Sequence, residues 1–295
     1  MTHAHHAAFE SLSVSAALIT LALVYLRGWL RIRRFELETI ESWRAGSFLT
    51  GLFFIWLAVA SPLMMLDHQL LTAHMVQHLL LMTLAPPLIW LGAPVKAFLW
   101  GLPHPIEQAV IIPLSHSPGT KQFSKTLAHP AVCWFGAAAT LVAWHIPAVF
   151  MLGLQSGTWH GIEQASFLTT GLLFWWPVVQ PWPMVSRWPE WLILLYLFLA
   201  TLPCDVLSAF LVFWDRVVYA VYFSSPQPFG LSPLRDQQCA GAFMWTCVTV
   251  IYLVAGTIVT ARLLSPKTSR QYRILESDPQ PSAPTQTTRP GVEIV

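Results

Sequence analysis

The stretch LLTAHMVQHLLLMTLAPPLIWL, residues 70–91, holds the problem of this chain in 22 positions. It carries no Asp, Glu, Lys or Arg and is long enough to cross a hydrocarbon layer, which takes about 20 residues of helix. Yet two imidazoles, His74 and His78, lie within it. An i, i+4 spacing places both on one face of a helix, one turn apart.

Similar apolar runs fall at roughly 12–30, 46–64, 129–151, 160–180, 190–213 and 239–264. Each is bounded by charge, Pro or Gly. The whole chain is 55 % hydrophobic and 10 % charged, with a mean hydropathy of +0.56. A soluble domain carries about a quarter charged residues. The expected fold is therefore all-α, a polytopic transmembrane bundle of about seven helices over residues 12–264. Residues 1–11 read as an external tip containing His3, His5 and His6, and 265–295 as a disordered cytoplasmic tail rich in Pro, Ser and Thr. The first residues lack a basic segment and a cleavage pattern, so the first run reads as a retained helix. The segment 92–127, with Pro94, Pro103, Pro105, Pro113 and Pro118, reads as a long loop with room for a short interfacial helix. Pro86 and Pro87 are expected to end or kink the third helix. Gly136, Ala137, Ala138 and Ala139 are expected to let the fourth approach its neighbours closely.

Basic residues set the orientation. With the N-terminus outside and the C-terminus in the cytoplasm, all sixteen Lys and Arg but Arg216 and Arg235 fall inside; the opposite orientation inverts this. Trp159, Trp175, Trp176, Trp182, Trp188, Trp191 and Trp214 stand near helix ends, as an interfacial belt requires. A bacterial cytoplasmic membrane is the implied location, with lipid as a partner. The net charge of +2 is no sign of nucleic acid.

Given this topology, polar residues converge on the outer third of the membrane. His74 and His78 come from the third helix, with Asp67 and His68 just before it. His145 ends the fourth, His160 and Glu163 begin the fifth as an i, i+3 pair, and Asp236 with Gln237 and Gln238 enters the seventh. A charge at the centre of a span costs on the order of 2.5–3.5 kcal/mol, so such residues face a bundle interior or a site. Imidazoles on one face with a carboxylate from another helix suit copper, zinc or iron. A hydrogen-bonded packing network uses the same residues. Asp67 reads first as a cap on the third helix. Met75, Met82 and Met244 read as core that is also capable of soft ligation. Asp205 within a span belongs to a pathway or a network. Cys133, Cys204, Cys239 and Cys247 show no CxxC spacing, and Cys239 and Cys247 read as inert buried thiols. No nucleophile triad, zinc-protease motif or phosphate loop occurs, so an enzyme is not expected.

The stretch His74 to Pro94 resembles the signature HMxQHxLL…APxLxxLGxP of the multi-pass CtaG-type cytochrome c oxidase assembly factors. Trp144-His145-Ile-Pro147, the run from His160 through Ser166-Phe167-Leu168 to Trp175-Trp176-Pro177, and Ser232 through Asp236-Gln237-Gln238 to Trp245 agree with it in order. A second group sharing that name, with one anchor and a soluble copper domain, is not resembled. The resemblance implies assistance in building haem-copper oxidases, with oxidase subunits as partners and copper handled at the outer face. His74, His78, His145, His160 and Asp236 match its motif positions, and with Glu163 they make the candidate metal set. Where a second His commonly follows His160 by four residues, this chain has Gln164. Glu163 is the candidate substitute, although i+3 and i+4 side chains point about 100° apart. Two other readings stay open, a membrane haem protein and a transporter of metal or solute.

Overall fold

The computed structural model describes residues 2–35, 41–102, 129–180, 188–226 and 228–265. Among them no strand occurs. The helices in chain order are α1 (Thr2–Phe35), α2 (Ser42–Val59), the single turn α3 (Leu63–Leu66), α4 (Leu71–Leu79), α5 (Ala85–Leu91) and α6 (Pro94–Gly101). They continue as α7 (Pro130–His145), α8 (Pro147–Gln155), α9 (Gly157–Val179), α10 (Glu190–Phe213) and α11 (Pro233–Leu263). Five spans are long and apolar enough to cross a membrane, or six if α7 and α8 count as one bent span. The protein is thus an all-helical, multi-pass membrane protein. The fifth expected span, α9, falls outside that set; its first turns carry His160, Glu163 and Gln164.

The span from Leu71 to Leu91 is the axis of the bundle. Its most apolar window is 56 % buried, against at most 28 % in any other span. On one side it packs into a core with α7 to α11, around Met75, Phe150, Phe174, Trp175 and Tyr252. On the other side Leu81 and Ala85 join Tyr25, Phe48 and Ile55 of α1 and α2.

Pro86 and Pro87 do not end this helix. A π-helical turn at Leu80–Leu84 precedes them, closing with the Ala85 N–H on the Leu80 carbonyl, and the chain stays helical to Leu91. Pro86 has no N–H to offer the Met82 carbonyl four residues back. The Trp175 indole donates there instead, at 3.2 Å. Trp175 is therefore a core residue, only 2 % exposed, and not part of an interfacial belt; Trp159, Trp188, Trp191 and Trp214 are exposed, and Trp182 lies outside the described residues.

The expected span 129–151 is broken. α7 and α8 meet at 78° because Ile146, ahead of Pro147, is extended (φ −67°, ψ 124°). The carbonyl of His145, released from helical bonding by this bend, accepts the Tyr219 hydroxyl at 3.0 Å. Gly136 of α7 is not a point of close approach, since a Cβ there would meet nothing within 4 Å, whereas Ala137 beside it is buried in the core. Close approach occurs at Gly28 of α1, where a Cβ would lie 1.8 Å from the Ala97 carbonyl oxygen of α6. Part of the expected loop 92–127 is thus helix packed on α1, while 103–128 lies outside the described residues. So does the tail from 266. The backbone of the N-terminal tip is already helical from Thr2.

The start of α4 is held from another helix. Leu70 is extended and offers no side-chain cap. The buried carboxylate of Asp236, in the first turn of α11, accepts from the Leu71 N–H at 2.6 Å, the Thr72 N–H at 3.2 Å and the Thr72 hydroxyl at 2.6 Å. This satisfies helix-terminal N–H groups that water cannot reach and places a negative charge on the positive end of the helix dipole.

Two outcomes follow from these contacts. Gly28→Ala forces α1 off α6, costing on the order of 1–3 kcal/mol as overpacking does; thermal unfolding of detergent-purified protein reads the loss. Asp236→Ala leaves buried N–H groups unmet, at about 1–3 kcal/mol, and lowers the midpoint in the same assay, while Asp236→Asn recovers part of it.

Candidate metal centre

Three segments bring their polar side chains to one buried point beside the first two turns of α4. His74 and His78 stack edge to face with ring centroids 4.4 Å apart. Both are buried, at 0 % and 5 % exposure. Phe150 lies edge-on to His74 at 4.8 Å and Phe167 stacks on His78 at 4.0 Å, so apolar rings hold both imidazoles.

Glu163, fully buried on α9, faces them. Its Oε1 is 3.3 Å from Nε2 of His74 and 3.3 Å from Nε2 of His78. Its Oε2 is 3.3 Å from Nδ1 of His160, one turn back on the same helix. The bend after α7 gives this carboxylate its room. It swings α8 across the site so that Gly153 faces Glu163, and a Cβ there would sit 2.7 Å from Oε2.

Asp67 closes the other side. It lies three residues ahead of the extended Leu70, too early to cap α4, and it turns inward instead. Its Oδ2 is 3.3 Å from Nε2 of His160, and the Tyr222 hydroxyl anchors its backbone carbonyl at 2.9 Å. Burial opposes its charge, but His160 and His68 beside it hold the Asp67 carboxyl below the usual carboxylate range.

Two donor triads result, Asp67–His74–His160 and His74–His78–Glu163, each with its ligand atoms within 4.8 Å of one another. His74 belongs to both. Several buried ligand atoms make no hydrogen bond: both Asp67 oxygens, Nδ1 of His74 and both ring nitrogens of His78; of these, Oδ2 of Asp67 and Nε2 of His78 have only the 3.3 Å ion-pair contacts to His160 and Glu163. Buried polar atoms are nearly always hydrogen-bonded, and unmet ones call for a reason such as an ion.

Of the six residues expected at a metal site, the structure gathers His74, His78, His160 and Glu163. His145 stands at the edge, its ring centroid 6.0 Å from that of His78. Asp236 is separate, its oxygens engaged at the start of α4. Gln164 does not replace a ligand; its amide nitrogen lies 2.8 Å from Nε2 of His160. Asp67 reads from the sequence as a cap, and its distance from the helix start is the signal that it is not one. Gly153 has no such signal, because its role depends on a bend that only the tertiary structure shows. Asp205 is half-buried on α10 and belongs to neither triad. His129 accepts from the Ala131 N–H at the start of α7; His104 and His116 lie outside the described residues.

Residues 23–265 match the family described as cytochrome c oxidase caa3 assembly factor (Caa3_CtaG). Two curated relatives align over 92 % of this chain at 26 % identity, an uncharacterized protein of Mycobacterium bovis and one of Mycobacterium tuberculosis. The aligned region is 42 % of each relative, so the chain spans less than half their length. No solved structure matches. With a match extending from the first span to the end of α11, the chain belongs to the cytochrome c oxidase caa3 assembly factor family.

Proposed function

We propose that this protein assists the assembly of a haem-copper oxidase by holding copper, as cargo, at the cluster of Asp67, His74, His78, His160 and Glu163. The observation that carries the reading is the set of buried donors without hydrogen-bond partners on two overlapping triads. Imidazole nitrogen with carboxylate oxygen suits a divalent first-row ion, copper above the others on the usual affinity order. With the N-terminus outside, the cluster stands near the outer face of a bacterial cytoplasmic membrane, where an oxidase subunit would receive the metal. The role is non-catalytic: the chain binds and releases, and the oxidase subunits are its partners. Asp236 acts in this reading as a positioning residue, setting the height and rotation of α4.

The haem reading finds less support. The imidazoles pack on one another directly, and the cavity beside His78 and His145 has a volume of about 40 Å³, the space of an ion or a water and far below that of a macrocycle.

Metal content of detergent-purified protein tests the proposal. Wild type is expected to take up stoichiometric copper, and the double variant His74→Ala/His78→Ala to lose it, together with its ability to restore oxidase assembly in cells lacking the wild-type protein. A folded wild type that binds no copper yet restores assembly would overturn the copper reading and leave a protein-contact role. Gln164→His removes the amide that competes for His160 and adds an imidazole. It is expected to tighten copper binding by at least tenfold in a competition titration.

A further inference from the structure

The contact between His145 and Met75 is not explained by hydrogen bonding. Nδ1 of His145 lies 2.7 Å from the Leu141 carbonyl oxygen, one turn back along α7. A carbonyl only accepts, so Nδ1 carries the proton and Nε2 of the neutral ring keeps a bare lone pair. That nitrogen is 3.2 Å from the Met75 sulfur, and a thioether also only accepts. Two acceptors at this distance repel unless a cation shares them. A proton suits the place poorly. It would create an imidazolium with a thioether and a backbone carbonyl as its two hydrogen-bond contacts, buried to 5 % exposure.

A soft metal ion suits it well. With zinc's bonds as a guide, about 2.0–2.1 Å to imidazole and about 2.3 Å to sulfur, a shared ion brings nitrogen and sulfur to about 3.2–3.7 Å, and the 3.2 Å found here is the lower end of that range. A ligating histidine characteristically donates its other N–H to a backbone carbonyl, as His145 does to Leu141. His78 stands three residues after Met75, on the adjoining face of the same helix. Its ring centroid is 6.0 Å from that of His145, and neither of its ring nitrogens has a hydrogen-bond partner. A cavity of about 40 Å³ adjoins the pair on the His78 and His145 side and is bordered also by Met82, Cys204 and Met244; Met75 itself does not line it.

We propose that His145 and Met75, with His78 as the shared third ligand, form a second metal site that selects a monovalent thiophilic cation. It adjoins the carboxylate cluster through His78 and deepens the copper reading, on which its biological meaning rests. A neutral imidazole has one lone pair, so His78 serves one ion at a time, the divalent ion with nitrogen and oxygen ligands on one side or the monovalent ion with nitrogen and sulfur on the other.

The test uses full-length protein purified in detergent without oxygen. Ag(I) is the redox-inert probe of the soft site and Zn(II) the probe of the carboxylate cluster. Wild type is expected to bind Ag(I) with a sulfur neighbour visible in X-ray absorption. Met75→Leu, a swap of similar shape, is expected to lose that neighbour and at least tenfold in Ag(I) affinity, while Zn(II) uptake is unchanged. Glu163→Gln is expected to do the reverse. Ag(I) binding in Met75→Leu equal to wild type, or a wild type with no Ag(I) bound or no sulfur around it, overturns the soft site. Should Met75→Leu fail to fold, the wild-type absorption spectrum decides alone. Sulfur-ligated Ag(I) with no Zn(II) uptake would leave this site standing and remove the carboxylate cluster as a metal centre.

Discussion

A single buried carboxylate, that of Glu163, organises the centre of this bundle. A carboxylate stripped of water is costly unless opposite charge or hydrogen-bond donors surround it. Here His74 and His160, from two helices, stand at hydrogen-bonding distance of 3.3 Å, and Nε2 of His78 lies 3.3 Å away as an ion-pair contact. Removing any one partner would leave charge uncompensated in an apolar interior. The helices that carry them are therefore bound to one relative position, and the packing around them is arranged to keep it.

Much of the surrounding irregularity serves that position. The break at Ile146 and Pro147 brings a glycine, not a side chain, against the carboxylate. Asp236 holds the start of α4 from the far end of the sequence, 164 and 165 residues away. The π-helical turn at Leu80–Leu84 lets one span absorb two prolines without ending; such turns are frequent at functional sites. Each device gives up regular hydrogen bonding and recovers it through a tertiary partner: Tyr219 for the His145 carbonyl, Trp175 for the Met82 carbonyl. In hydrocarbon that recovery is obligatory.

The spanning character and the helical class were legible because hydropathy is a property of local sequence. So were His74 and His78, through their spacing, and His160 with Glu163, because ionisable groups inside spans are rare and turn inward. What escaped reading depends on contacts between distant segments. Asp236 has the same chemistry as Asp67, yet one caps a helix and the other joins the cluster. Only the distance from Asp67 to the extended Leu70 hints at the exchange. At Pro147 the pattern reads as one continuous span, yet the proline breaks it. At Pro86 the breaking power of proline is overestimated, because the π-helical turn and the Trp175 donor lie outside any local rule. Gly136 looked like a close-packing residue and is not; Gly28, which is, stands in an ordinary stretch of α1.

The departure at Gln164 shows how one position redistributes the roles of its neighbours. An imidazole there would stand four residues from His160 on the same face and offer a second nitrogen to the centre. The amide instead lies 2.8 Å from Nε2 of His160, the nitrogen that also faces Asp67 at 3.3 Å. His160 is thereby held between an amide and two carboxylates, while His74 and His78 keep nitrogens with no hydrogen-bond partner. The donors most open to an ion shift toward α4, away from α9. His78 stands between the Glu163 carboxylate and the His145–Met75 pair, 3.3 Å from Oε1 of the one and with its ring centroid 6.0 Å from that of His145, which makes it the residue that the two proposed sites share.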